Sequence, residues 1–529
     1  AEVVGQGAHF RLWAPAAKKV FLVIKRNEDV QAVEMEEEAA GYYSLYVNSL
    51  EPGCLYQYQL DDDDILYADP ASRFQPLGPH GPSQLVDSKR FDWADDQWQG
   101  VQTTGQVIYE MHIGTFTQEG NYLAAVKELP ELARLGITLI ELMPVCEFDG
   151  NFGWGYDGVD LFAPYHAYGT PDELRFFIDQ AHAHGMGVIL DVVYNHMGSS
   201  GCYLNKFSQD YLSTRYKSQW GNVLNFDGKH CGPVREFIIT NAVYWIKEFH
   251  FDGFRLDATQ EIYDASDEHI ISSLVRAARQ AAGTRSLYIV GENEPQQRKL
   301  VDAIEEKGYG LDALWNDDFH HISRVALTGR TDAYFTDYKG EPQEFVAAIK
   351  YGFLYQGQWY KWQSQRRGSA ALDLPAPAFV HYLQNHDQIA NGGLGKRLHQ
   401  LAQPALYRAL TALLLLAPQT PMLFQGQEFA SSSPFLYFAD NNADLVDAVA
   451  KGRNEFLYQF ASLATPEIQD YLYRPEDTEA FKKSKLDFSE REINKEMYEL
   501  HKQLLQLRKT DPVIAGLLLT KLDAAVLSP

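Results

Sequence analysis

Asp257 follows Arg255 by two positions in the segment Gly253-Phe254-Arg255-Leu256-Asp257-Ala258. Glu292 closes the run Ile289-Val290-Gly291-Glu292, and Asp387 follows His386 in Gln384-Asn385-His386-Asp387. A fourth segment, Asp191-Val192-Val193-Tyr194-Asn195-His196, adds another acid and another histidine. Residues two apart on a strand share a face, so Arg255 and Asp257 point the same way, and the cation holds the carboxylate ionised and oriented. Glu292 has no basic neighbour in sequence and follows apolar residues, which favours its neutral form. One carboxylate kept charged and one kept protonated is the pair that glycoside hydrolysis requires. The first attacks or stabilises the sugar cation, and the second protonates the leaving oxygen. Asp387 is then a third acid, available to grip ring hydroxyls.

Groups from distant segments can meet only if regular elements bring their ends together. From residue 107 onward the sequence alternates between β-rich runs and helical stretches. Strands are predicted at 107–115, 138–144, 187–195, 253–258, 286–292, 311–317, 379–385 and 420–425. Helices between them fall at 131–135, 171–184, 234–249, 268–282 and 407–416. Eight strands in this alternation predict an α/β fold of the (β/α)8 TIM barrel class, in which reactive groups sit at the C-terminal ends of the strands. The insert at 197–232 is too long for a simple connection and is expected to form part of the cleft. Ahead of the barrel, short β runs at 10–13, 20–24, 42–47 and 56–60 are separated by turn clusters at 51–53 and 61–64. Tyr56, Tyr58 and Leu60 face one way in the last run, and the whole reads as an N-terminal β-sandwich leading into a Gly/Pro-rich connector at 76–82. After residue 428 the chain turns helical. Ile493, Met497, Leu500, Leu504 and Leu507 form a helical stripe, and 514–519 reads as a short strand. The expected organisation is a sandwich over 1–98, a catalytic barrel over 105–465 carrying the insert 197–232, and a partial C-terminal region over 466–529 with the start of a β domain.

Composition narrows the partners. Lys+Arg 46 against Asp+Glu 71 gives a net charge of −25, a field that repels nucleic-acid backbones and anionic membranes. The longest apolar run, near 413–417, stops at Pro418, well short of the roughly 20 residues of a bilayer span. Nothing at Ala1 resembles a signal peptide. Cys54, Cys146, Cys202 and Cys231 are scattered without a C-x-x-C pair, so free thiols in a reducing, cytoplasmic setting are expected, with no metal site and no cofactor. An aromatic content of 13% leaves faces to spare for stacking on sugar rings. His196 and His386 are expected to contact sugar, and Trp154, in Gly153-Trp154-Gly155-Tyr156, is a stacking candidate. Asp191 joins the candidate substrate-binding set with a bracing role towards Arg255 or the strand end. Asn195 could face calcium, but nothing else in the sequence forms a calcium loop. Glu294 rivals Glu292 as the acid, yet it lies beyond the strand end beside Pro295, so Glu292 is preferred.

The four segments together resemble the conserved regions of the α-amylase superfamily, glycoside hydrolase family 13. The similarity runs from about Phe10 to about Leu507 and includes Gly153-Trp154-Gly155-Tyr156-Asp157-Gly158, Gln384 to Gln388 and Pro434-Phe435-Leu436-Tyr437-Phe438. The last block is similar to the trehalose-releasing branch of the superfamily. The resemblance implies Asp257 as nucleophile, Glu292 as general acid/base and Asp387 as transition-state stabiliser. It also implies Arg255, His196, His386 and Tyr156 as contacts to the sugar at the cleavage site. The implied activity is retaining hydrolysis of the α-1,4-glucosidic bond next to the terminal trehalose of maltooligosyl trehalose, in functional pairing with a maltooligosyl trehalose synthase. A branching or debranching enzyme is the alternative. The sandwich resembles the domain that precedes the barrel in those relatives. Two departures stand out: Ala258-Thr259-Gln260-Glu261 lacks the Lys-His that many amylases carry there, and only the start of the β-sandwich in which family members usually end is expected within this sequence.

Overall fold

The computed structural model describes residues 1–26, 29–218, 220–469, 471–516 and 518–527. Eight parallel strands close into a barrel: β1 Ile108–Met111, β2 Leu139–Leu142, β3 Gly187–Val192, β4 Gly253–Leu256, β5 Tyr288–Gly291, β6 Ala313–Trp315, β7 Phe379–Tyr382 and β8 Thr420–Phe424. Each lies within a run predicted from sequence. β1 pairs with both β2 and β8, so the two ends of this region meet.

Strand alternation sets the barrel interior. Ile108, Leu139, Ile189, Tyr288, Val380 and Met422 form one buried apolar cluster with Val101 and the partly buried Trp98, both from the segment entering the barrel. Two residues further along, the same inward parity places Glu110, Glu141, Asp191 and Arg255, all nearly fully buried. On β1 to β4 the interior therefore runs from hydrocarbon at the N-terminal end to charge at the C-terminal mouth, whereas on β5 to β7 the second layer, Val290, Trp315 and Tyr382, stays in the apolar cluster. Outward residues such as Tyr109, Ile140, Leu190, Phe254 and Ile289 pack into the larger core with the surrounding helices. Those helices carry ordinary start signals. Pro171–Ala183 begins with Pro at its first position, behind a Thr170/Glu173 capping box, and buries Leu174, Phe177, Ile178 and Ala181.

The N-terminal region is two antiparallel sheets. One orders Glu2–Val4, Gly7–Trp13, Tyr42–Asn48 and Glu36–Glu37; the other orders Asp29–Glu34, Val20–Arg26, Leu55–Leu60 and Leu66–Tyr67. Phe10 meets Tyr56 edge-on at 4.9 Å between them. Tyr56, Tyr58 and Leu60 are buried as their alternation predicts, and Gln57 is buried too, because it accepts from Lys25 Nζ at 2.8 Å and donates to the Leu66 carbonyl at 3.3 Å. The sandwich docks on the insert after β3: Trp13 packs edge-on against Tyr211 at 5.0 Å, and Tyr67 meets Phe207 at 5.9 Å.

Three sequence expectations need correction. The first strand stops at Met111, and its predicted end is the short helix Ile113–Phe116; likewise Asp317 opens the helix Asp317–Thr328, capped by Asn316. The stripe Ile493, Met497, Leu500, Leu504, Leu507 is only the partly buried flank of the C-terminal helix Lys495–Thr510, with Met497 and Leu504 packed against the core. Tyr498, His501 and Leu505 are the buried residues, while Ile493 and Leu507 are exposed. The helix is rotated because Tyr498 hydrogen-bonds Glu131 and Arg508 donates to the Leu415 and Gln419 carbonyls. Finally, the predicted strand at 514–519 is replaced by the helix Pro512–Ala515 and a 3-10 turn at Leu519–Lys521; Leu517 lies outside the described residues.

Candidate active site

Arg255 organises the barrel mouth. Its guanidinium is fully buried and lies 4.3 Å from the Trp315 ring centroid. Nη1 donates to Asp191 Oδ1 and Oδ2 at 2.8 and 2.7 Å and to Asp257 Oδ1 at 2.8 Å, while Nη2 donates to Glu292 Oε2 at 2.7 Å. One cation thus bridges Asp257 from the end of β4 and Glu292 from the end of β5. The other Asp257 oxygen accepts from Asn195 Nδ2 at 2.8 Å, and the same amide nitrogen donates to the Asp257 carbonyl at 3.0 Å. Asn195 is therefore committed to orienting Asp257.

Glu292 is held differently. Its Oε2 also accepts from the Ala258 backbone N–H at 3.0 Å. Ala258 itself sits in the left-handed region, with φ 38° and ψ 56°, a costly conformation for a residue with a Cβ. Burial pushes the Glu292 carboxyl up to about 8; Arg255 opposes the shift, and the nearby charges of Asp257 and Asp387 reinforce it. With two donors on Oε2, the proton of the neutral acid belongs on Oε1. Asp191 is also raised, to about 6, by burial against the pull of Arg255. It braces Arg255 from below, as its place in the sequence suggested.

Further residues converge on the same rim. Tyr156 donates to Asp191 Oδ2 at 2.7 Å and lies 2.9 Å from His386 Nε2. His386 Nε2 is 3.6 Å from Asp387 Oδ2, and the Asp387 side chain keeps 40% of its surface exposed. His196 is bonded to Asn195 through Nδ1, and burial lowers its basicity. Glu294, the rival acid, is turned away into an ion pair with Arg367. Trp154 is brought to the rim but is only 6% exposed, so it offers little surface for a sugar to stack on. Sequence reasoning missed Trp220, on the insert, which is 43% exposed and lies 6.1 Å from the His196 ring. A tryptophan flanked by polar residues in the insert after the third strand was the available signal. It also missed Glu110 and Glu141, acids placed inside β1 and β2.

Comparison with known proteins fits this geometry. Residues 1–72 match carbohydrate-binding module 48, the isoamylase N-terminal domain, and residues 112–221 match the alpha amylase catalytic domain. The chain is 40% identical to malto-oligosyltrehalose trehalohydrolase of Deinococcus radiodurans, over 96% of this chain and 82% of that protein. The chain belongs to the malto-oligosyltrehalose trehalohydrolase family. The enzyme of that name from Saccharolobus solfataricus is 38% identical, over 95% of this chain and 85% of its own length. By contrast, the 1,4-alpha-glucan branching enzyme of Bacillus cereus matches only 59% of the chain, at 32% identity. Among solved structures, a protein from Salmonella typhimurium assigned as an alpha amylase superposes with a TM-score of 0.90 at 36% identity, covering 97% of this chain and 86% of that one.

The block that suggested the trehalohydrolase family from sequence is built into the site. Phe435 stacks on Trp154 at 5.4 Å, the Leu436 carbonyl accepts from the Trp154 indole at 3.0 Å, and Tyr437 meets the same ring edge-on at 5.0 Å. Trp154 in turn packs edge-on against His386 at 5.2 Å. The segment after β8 thereby fixes the floor beneath His386 and Tyr156.

Proposed function

We propose that this chain hydrolyses the α-1,4-glucosidic bond next to the terminal trehalose unit of maltooligosyl trehalose, with retention, releasing trehalose and a maltooligosaccharide. The observation that carries the chemistry is the bridge made by Arg255. Retention requires two carboxyls about 5–5.5 Å apart, and a single guanidinium holding both Asp257 and Glu292 keeps them close. Asp257 attacks the anomeric carbon while Glu292 gives its Oε1 proton to the leaving oxygen of trehalose. The ester that forms removes the Asp257 charge, so Glu292 loses one of the anions that raised it and becomes a base for the incoming water. Water then attacks the anomeric carbon, its proton passes to Glu292, and Asp257 is freed as carboxylate. Asp387 and His386 grip ring hydroxyls, with His196 and Tyr156 beside them, and Trp154 and Asp191 support that shell from beneath.

The identities and coverage of the named relatives support trehalose as the leaving unit. Such a substrate has to be supplied by an enzyme that converts the reducing end of a maltooligosaccharide into trehalose, which makes a maltooligosyl trehalose synthase the functional partner. A cytoplasmic setting is supported by the four cysteines, all free thiols. Among the described residues no helix is long and apolar enough to cross a membrane. The test is incubation with maltooligosyl trehalose beside a maltooligosaccharide of equal length. The reading expects trehalose as the smaller product and at least about a tenfold advantage in kcat/KM, or about 1.4 kcal/mol of differential transition-state binding. Release of maltose, equal efficiency on both, or new α-1,6 branches would refute it.

A further inference from the structure

Glu110 reaches the mouth from β1, far in sequence from the catalytic acids, and takes no part in the steps above. It is 1% exposed, its Oε1 is hydrogen-bonded to His386 Nδ1, and its Oε2 accepts from the His386 backbone N–H at 3.3 Å. The other ring nitrogen, Nε2, faces the Tyr156 oxygen at 2.9 Å. Tyr156 has one proton, and that proton is directed to Asp191 Oδ2 at 2.7 Å. Its oxygen can therefore only accept from His386. Both ring nitrogens face acceptors, and a neutral imidazole, which has one N–H, would leave a lone pair pointed at an oxygen.

We propose that Glu110 is a positioning residue that keeps His386 doubly protonated, so that an imidazolium stands beside Asp387 at the cleavage site. Its place in the reaction rests on the glycosidase reading above, whereas the protonation state does not. The hydrogen bonds then run in one consistent sense: Arg255 and Tyr156 donate to Asp191, and His386 donates to Tyr156 and Glu110. The charged groups facing the ring have been placed on each neighbouring element: Glu110 on β1, Glu141 on β2, Asp191 on β3 through Tyr156, Arg255 on β4 and Asp387 beside it. His112, just after β1, interacts with it as a second histidine held neutral by its own burial. Burial opposes the charge on His386, yet the carboxylates of Asp387 and Glu110 outweigh both burial and Arg255, and the ring is raised to about 9. Two cations, Arg255 and His386, then offset the anions crowded at the mouth. Removing Glu110 should change the charge of the ring as well as its orientation.

The experiment combines a spectrum with a rate profile. Nitrogen NMR of protein labelled with 15N-histidine, with the His386 signal assigned by its loss in His386→Gln, should show both ring nitrogens protonated at pH 7 in the wild-type protein. In Glu110→Gln the ring should titrate at least about one pH unit lower, and the alkaline limb of kcat/KM on maltooligosyl trehalose should move down with it. The ratio of wild-type to variant rate then grows with pH, and Glu110→Asp should restore part of the shift. A bare nitrogen on wild-type His386 at pH 7 would overturn the proposal whether or not any variant folds. So would a Glu110→Gln ring that titrates as before, or a rate ratio that stays constant with pH, the mark of a purely structural role. If the spectrum is as expected but no trehalose is released, the substrate reading fails and the role of Glu110 stands.

Discussion

On β1, β2 and β3 the lower and upper halves of the barrel interior lie two residues apart on the same strand, and their chemistry is opposite. Below lie Ile108, Leu139, Ile189 and Tyr288, sealed at the N-terminal end by Val101 and Trp98. Above lie Glu110, Glu141, Asp191 and Arg255, with Asp257 and Glu292 at the rim. The lower layer excludes water and stabilises the closed barrel. The upper layer buries ionisable groups that would be costly alone and becomes tenable because Arg255 serves three of them at once. Stability and chemistry are thus separated by one step of strand alternation. Glu141 marks the seam. Both its oxygens are buried without a hydrogen-bond partner among the described residues, and burial, helped by Glu110, drives its carboxyl far above the usual range. It is a neutral acid like Glu292, but with no path to a substrate.

Breaking the upper layer should give the largest effects on rate. Asp257→Asn removes the nucleophile with little change in volume, and kcat should fall by about 10⁴-fold while substrate binding persists. Equilibrium binding and single-turnover rates measure the two separately. A variant that kept wild-type turnover would remove Asp257 from its role. Glu292→Gln should cost about 10²–10⁴-fold on natural glucosides and less on substrates whose leaving group needs no proton. Wild-type kcat/KM should fall as pH rises through about 8, where Glu292 loses its proton, and in the variant this limb should give way to one near 9, where His386 loses its own.

The lower layer should respond in the other currency. Leu139→Ala should destabilise the fold by about 2–5 kcal/mol through the cavity it leaves, read in denaturant unfolding, while kcat/KM of the folded protein stays near wild type. A large loss of activity with little loss of stability would blur the separation between the halves. Glu141→Gln is the finest probe. The folded pKa of Glu141 lies above its unfolded value, so its ionisation favours the unfolded chain as pH rises past about 4.5. The stability of the variant relative to wild type should therefore increase with pH, by up to about 1.4 kcal/mol per unit. A difference independent of pH between 5 and 8 would show that Glu141 is not held neutral.

Much of the upper layer was legible in the sequence because the chemistry sits at strand ends, where parity and neighbours can be read locally. Arg255 and Asp257 share a face, and the apolar run before Glu292 did foretell a raised acid. What escaped depends on closure of the barrel. Glu110 meets His386 only because β1 closes against β8, next to β7, across 276 residues of chain. Glu141, alone in an apolar strand, gives no local sign of its burial. Trp154 was placed at the rim correctly, but its burial follows from Phe435 and Tyr437, far along the chain. The C-terminal stripe located the buried face only in part, through Met497 and Leu504, because the face a helix buries is set by its neighbours, here Glu131 and the carbonyls that receive Arg508, as well as by its own periodicity.

The central claim is that Asp257 and Glu292, held by one arginine, cleave the bond beside trehalose by double displacement. Proton NMR of the first turnovers on maltooligosyl trehalose tests it most directly, because the new reducing end appears on the maltooligosaccharide before mutarotation blurs it. The account predicts trehalose together with an α-anomeric reducing end that drifts later towards the equilibrium mixture. A β-anomer appearing first would mean direct attack by water and would contradict the account.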